Sequence, residues 1–180
     1  MTDSYPFTVF GGEFKGKRVL VTGGTKGIGE AIARRFALGG ASVATTARSE
    51  AANGQDSALF IKADIGTARG VQNVVDCIQR EWGRLDILVN NVGGTETKAG
   101  GFEVLSDEDW QRILEVNLLA AVRLDRAFLP GMIERKSGVV IHISSVQHRL
   151  PFSNSTLAYA AAKGLIARGW PKVSLRRVCE

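Results

Sequence analysis
Cysteine is scarce in this chain, with Cys77 and Cys179 alone among 180 residues. Two cysteines so far apart build no disulfide framework, and neither stands at a metal-ligand spacing. No metal site is expected. A reducing compartment suits such sparing use of thiols, so the expected location is cytoplasmic. The opening MTDSYPFTVF has no basic segment followed by an apolar one, so no signal peptide is expected. No apolar run approaches the roughly 18 residues a membrane span needs, so no membrane partner is expected. Evenly spread positive charge is missing too. The net charge is +5, but residues 164–180 hold +3 of it. That distribution argues against nucleic acid as the main partner. The remainder is ordinary: 44% hydrophobic, 23% charged, and long enough for one core. Glycine is plentiful, at 21 residues, and clusters at turn positions.

Strand and helix patterns alternate along the chain. Strands are predicted at Arg18–Thr22, Ala41–Ala47, Ala58–Ile61, Leu85–Asn90 and Gly138–Ser144. Helices are predicted at Gly27–Leu38, over 68–82 where Val71, Val74, Val75, Ile78 and Trp82 share a face, and at roughly Thr156–Ala167. A further helix opens at Ser106, an N-cap followed by Asp107, Glu108 and Asp109, and runs through Val122. This order implies an α/β fold of Rossmann type: a doubly wound parallel sheet with helices on both faces. Ligands then belong at the C-terminal ends of the strands. Residues 1–14 read as an arm, 15–168 as the nucleotide-binding domain with its catalytic residues, and 169–180 as an atypical basic tail.

The segment Thr22-Gly23-Gly24-Thr25-Lys26-Gly27-Ile28-Gly29 joins the first strand to the first helix. Its glycines admit positive φ and let a pyrophosphate approach the backbone, while the helix start offers free N–H groups to the anion. The pattern TGGTKGIG is similar to the TGxxxGxG of classical short-chain dehydrogenases and reductases, and differs from the TGxxGxxG of their extended relatives. The resemblance makes Gly23, Gly27 and Gly29 the cofactor glycines, with Thr25, Lys26 and Ile28 beside them.

The second strand ends Thr45-Thr46-Ala47-Arg48. An NAD site places an acid here; this chain has Ala47, then Arg48, with Lys26 inside the loop. Two cations near the adenosine ribose suit a 2′-phosphate, so NADP(H) is expected over NAD(H). The alternative is that both are solvated surface charges. Asp64, followed by Ile65, resembles the family acid that contacts the adenine; otherwise it is a turn or cap residue. Asn90-Asn91-Val92-Gly93 resembles the family's NNAG motif, which places Asn91 and Gly93 along the cofactor.

Tyr159 and Lys163 stand four apart on a helix and share a face. A free tyrosine is too weak a base at neutral pH, and a nearby ammonium favours its phenolate. Ser145 follows the fifth strand, with Ser144 as the rival and the spacing to Tyr159 in its favour. Asn117 is the polar member of an otherwise apolar face with 110, 113, 114, 118 and 121. In the family, the matching tyrosine moves the proton, the serine holds the reacting oxygen, the lysine tunes the tyrosine and grips the cofactor ribose, and the asparagine holds a water of a proton relay. The resemblance therefore implies hydride transfer between a nicotinamide and a small alcohol or carbonyl compound, a secondary alcohol interconverting with a ketone. The competing reading is an impaired or inactive nucleotide-binding fragment. His142 and His148 are not needed by this chemistry and read as structural, with a place in the pocket wall open to His148.

The resemblance covers about residues 14–163. Family members run to roughly 250 residues, and Gly164–Glu180 does not continue the pattern: Gly169-Trp170-Pro171 breaks the helix. The expectation is a C-terminally truncated member lacking the final strands, with a tail from truncation or a shifted reading frame. The family's dimers or tetramers, built on the helices of Asn117 and Tyr159, make a homo-oligomer a further expectation.

Overall fold
The computed structural model describes residues 10–49, 58–95, 100, 102–152 and 156–169. Five strands, β1 (Arg18–Thr22), β2 (Ser42–Ala47), β3 (Ala58–Lys62), β4 (Ile87–Asn90) and β5 (Val139–His142), form one parallel sheet in the order β3-β2-β1-β4-β5. The strands are short and nearly all apolar because helices cover both faces of the sheet centre. Val19, Leu20 and Val21 of central β1 are fully buried, as are Leu88 and Val89 of β4. The chain steps outward from β1 to β3 and returns on the other side to β4. The reversal opens a crevice at the C-terminal ends of β1 and β4.

On one face, α2 (Ala68–Trp82) and α4 (Ala120–Glu134) press Val74, Ile78, Leu124, Phe128 and Met132 onto Leu20, Ala44 and Leu88. Each such side chain contributes roughly 1.5–3 kcal/mol by leaving water. On the other face α1 (Gly27–Leu38) sets Ala33, Ile32 and Phe36 against Val19, Val21, Val43 and Val89. Phe14, the last residue of the expected arm, packs here: its ring lies 4.8 Å from that of Phe36, and its N–H donates to the Gly39 carbonyl. Residues 1–9 lie outside the described residues.

Helix α3 (Asp107–Leu114) begins with a capping box, in which the Ser106 hydroxyl accepts from the Asp109 N–H and the Asp109 carboxylate accepts from the Ser106 N–H. A π turn over Glu115–Leu119 links it to α4, so the helical run expected through Val122 continues to Glu134. β2, β4 and β5 are shorter than the patterns predict. The reason is that the apolar runs continue past the strand ends, where Leu85 is buried and Ile143 packs on the core without extending the strand. The last helix, α5 (Leu157–Gly169), runs two residues past its predicted end. Beyond Gly169, the expected basic tail lies outside the described residues. β5 pairs with β4 alone among the described strands, and its Val139 and Ile141 are 48% and 37% exposed. No described helix is long and apolar enough to cross a membrane.

Candidate active site
The glycine loop closes tightly on itself. Gly23 has φ +66°, and its N–H donates to the Thr46 carbonyl of β2 at 3.0 Å. A Cβ on Gly29 would sit 2.1 Å from the Gly23 carbonyl oxygen and 2.5 Å from Asn91 Nδ2, so the first turn of α1 rests directly on the loop. Lys26 takes the N-cap position of α1 and no side chain caps the helix, which leaves its N-terminal N–H groups to an external anion. Lys26, Gly27 and Ile28 are exposed around this mouth, Ile28 at 67%, with Thr25 half-buried beside them. The cradle fits a dinucleotide pyrophosphate: its walls are backbone, and any larger residue at position 29 would collide with the Gly23 carbonyl that shapes it.

The end of β4 is cross-linked to β1. Thr22 Oγ1 donates to the Val89 carbonyl and accepts from the N–H groups of Asn91 and Val92. Asn91 Nδ2 donates to the Thr22 carbonyl at 2.9 Å. These bonds satisfy the backbone where two strands stop together, which is why small polar residues occupy the positions.

Asn117 lies in the π turn, 2% exposed. Its Nδ2 donates to the carbonyls of Ile113 and Gly94, and its Oδ1 accepts from the Gly94 N–H, each at 3.0 Å. The wide turn frees the Ile113 carbonyl for that side-chain bond. A Cβ on Gly93 would stand 2.9 Å from Asn117 Oδ1 and 3.1 Å from Lys163 Nζ, so Gly93 is where these two groups meet. Lys163 Nζ donates to the Ile143 carbonyl at 2.8 Å and lies 5.7 Å from the Tyr159 ring centroid. Lys163 is 3% exposed, and burial pushes its ammonium below the ordinary lysine range. A cavity of about 10 Å³, close to the size of one water, is lined by Thr22, Asn90, Asn117 and Lys163 among others.

Ser145 stands at the next strand end. Its Oγ accepts from the Gln147 N–H and caps the turn Val146–His148. The Thr156 hydroxyl bonds the Gln147 side chain and so ties that turn to the start of α5. No hydrogen bond joins Ser145 to Tyr159 among the described residues. The rival Ser144 has a buried hydroxyl with no partner. Asp64 behaves as a turn residue: its Oδ1 accepts from the Gly66 N–H, and its carbonyl accepts from the Thr67 N–H and hydroxyl. Ile65 is buried in the core. Arg48 is exposed at the end of β2.

One group escaped the sequence reading. Asp125, 2% exposed on α4, lies 3.1 Å through Oδ2 from His142 Nε2 and accepts from Asn90 Nδ2 at 2.8 Å through Oδ1. An acid between Leu124 and Phe128 was as visible a signal as Asn117, because both interrupt an apolar face.

The family model described as short chain dehydrogenase matches residues 17–168. A short chain dehydrogenase of Pseudocercospora fijiensis is 40% identical over 183 residues, covering 93% of this chain and 58% of the relative. The 3-oxoacyl-[acyl-carrier-protein] reductase of Escherichia coli is 37% identical, over 93% of this chain and 69% of its own length. Among solved structures, L-sorbose reductase from Gluconobacter frateurii, complexed with NADPH and L-sorbose, superposes with a TM-score of 0.78 at 33% identity, over 87% of this chain and 62% of that one. The chain thus spans about three fifths to two thirds of the length of these relatives.

Proposed function
The chain belongs to the short chain dehydrogenase family of oxidoreductases, and from that premise we propose that it interconverts a small secondary alcohol and a ketone with NADP(H). One observation carries the proposal: Asn117, Lys163 and Tyr159 gather at the strand ends beside the glycine cradle. In the proposal Gly23, Thr25, Lys26, Gly27, Ile28 and Gly29 hold the pyrophosphate. Asp64 and Ile65 border the adenine, and Asn91 and Gly93 line the path to the reacting end. When bound, the nicotinamide supplies a carbon that takes or gives hydride.

The protein's own groups handle position and protons. Tyr159 gives its phenolic proton to the carbonyl oxygen in reduction, or takes the hydroxyl proton in oxidation. Lys163 holds positive charge beside Tyr159 and hydrogen-bonds the ribose. Ser145 donates its hydroxyl hydrogen to the reacting oxygen as charge develops there, while its Oγ still accepts from the Gln147 N–H. Asn117, pinned by Gly94 and Ile113, fixes the wall of the one-water cavity behind Lys163.

NADP(H) is favoured by Ala47 in the place of an acid and by Arg48 and Lys26 nearby. NADPH in the related L-sorbose reductase supports the same reading. The test is fluorescence titration of the 180-residue chain with NADPH and NADH, followed by a ketone screen. Equal affinity for both nucleotides sinks the cofactor preference. Nucleotide binding without turnover on any ketone supports a second reading, a nucleotide-binding module without activity, which the exposed β5 side chains favour.

A further inference from the structure
Exposed apolar side chains are concentrated where β5 gives way to α5. Val146, Leu150 and Phe152 are 64%, 65% and 57% exposed, all on the segment that follows Ser145. The backbone that carries them is held in place. The Val146 carbonyl accepts from the N–H groups of Arg149 and Leu150, at 3.0 and 3.1 Å. That turn sets Val146 and Leu150, four apart, on one side. Pro151 fixes a backbone torsion between Leu150 and Phe152. The Phe152 carbonyl accepts from the Thr156 N–H at 3.1 Å, and Thr156 leads into α5 and Tyr159. The bond from the Thr156 hydroxyl to Gln147 joins the two halves. The apolar groups are therefore framed by Ser145 at one end and the Tyr159 helix at the other.

Most polar groups of the segment are already engaged. Ser145 Oγ accepts from the Gln147 N–H, and the Gln147 side-chain oxygen accepts from Thr156. His148 Nδ1 lies 2.5 Å from the Ser145 carbonyl oxygen. Arg149 is exposed and has no partner among the described residues. A polyol needs several fixed donors and acceptors, and one cation does not supply them. Single exposed apolar residues are ordinary, whereas a cluster on a fixed frame beside a reacting group marks a contact with an apolar ligand. Val139 and Ile141 are exposed too, but they sit on β5, before the strand reaches Ser145.

We propose that Val146, Leu150 and Phe152 select a substrate with an apolar carbon chain, a hydrophobic ketone or its secondary alcohol rather than a sugar or polyol. The inference rests on the alcohol–ketone reading and adds the substrate class to it. The apolar chain lies along residues 146–152 while the reacting oxygen stands between Ser145 and Tyr159.

The experiment compares 2-butanone, 2-hexanone, 2-octanone and D-fructose as substrates of the NADPH-loaded chain. The value of kcat/KM should rise about fourfold for each methylene that the segment covers, and D-fructose should react more slowly than 2-octanone. In L150S/F152S the dependence on chain length should flatten. Both side chains are exposed, so the melting temperature and the NADPH Kd should not change. A second readout needs no turnover: the methyl resonances of Val146 and Leu150 should shift with 2-octanone and stay put with D-fructose, with or without NADPH. Equal kcat/KM for the three ketones, or a chain-length dependence that survives in L150S/F152S, overturns the proposal and leaves the alcohol–ketone reading standing. If no ketone is reduced yet the methyls shift with 2-octanone, that reading falls and the apolar site stands. Methyls that ignore 2-octanone overturn the proposal whatever the turnover. So do methyls that shift only as the chain itself is concentrated, since a second copy then covers them.

Discussion
Asn91 and Thr22 hold each other at two points: the Asn91 N–H donates to Thr22 Oγ1, and Asn91 Nδ2 donates to the Thr22 carbonyl, both at 2.9 Å. The pair locks β4 to β1 where the glycine loop departs. Asn91→Ala leaves the Thr22 carbonyl without that donor, at a cost of about 1–3 kcal/mol. A drop in melting temperature of roughly 2–4 °C per kcal/mol is expected for a chain of this size. Thermal unfolding by circular dichroism measures it; an unchanged midpoint contradicts the assignment.

Gly29 and Gly27 should respond differently to alanine. At Gly29 the added carbon meets the Gly23 carbonyl at 2.1 Å, so Gly29→Ala should both destabilise the fold and abolish nucleotide binding. At Gly27 a Cβ enters open space, and the penalty comes from φ +58°, about 1–2 kcal/mol. Nucleotide titration of both variants tests this, with equal loss at the two sites as the contrary result.

Asp125 and His142 should be energetically coupled. Asp125→Ala removes the buried acceptor of Asn90 Nδ2 and the partner of His142, an expected cost of about 1–3 kcal/mol. The Asp125→Ala/His142→Ala double variant should lose less than the sum of the singles, by about 0.5–3 kcal/mol. Denaturant melts of the four proteins give the coupling directly, and strict additivity would count against the pair.

Lys163 sets a pH dependence. Burial lowers its pKa in the fold, so folding disfavours the protonated form. Its contribution to stability is therefore least below the folded pKa and recovers as pH climbs to the unfolded value near 10.5. Lys163→Met should melt no lower than the parent at pH 7, with the difference moving in the parent's favour toward pH 10.5. A pH-independent difference would contradict this.

Tyr159→Phe removes the proton donor and keeps the ring. Turnover should fall by roughly 10²–10⁴-fold with nucleotide affinity preserved. A variant that keeps its rate would move the proton step to another group.

The strands and helices were largely legible because apolar periodicity is a local property of the backbone. Arg18–Thr22 and Gly27–Leu38 match to the residue. The ends of β4 and β5 were not, because apolar side chains such as Leu85 and Ile143 pack on the core beyond the strand ends. The π turn at Asn117 was also invisible, since it depends on the Gly94 backbone, which arrives from β4 to bond the amide.

Local spacing alone brings the glycines into one loop and sets Tyr159 and Lys163 on one face of α5, because each group lies within one loop or about one helical turn. Other partnerships were decided by the fold alone. Asp125 finds Asn90 and His142 only because β4 and β5 lie side by side beneath α4. Such pairings depend on sheet order and helix seating, which no short window of sequence encodes.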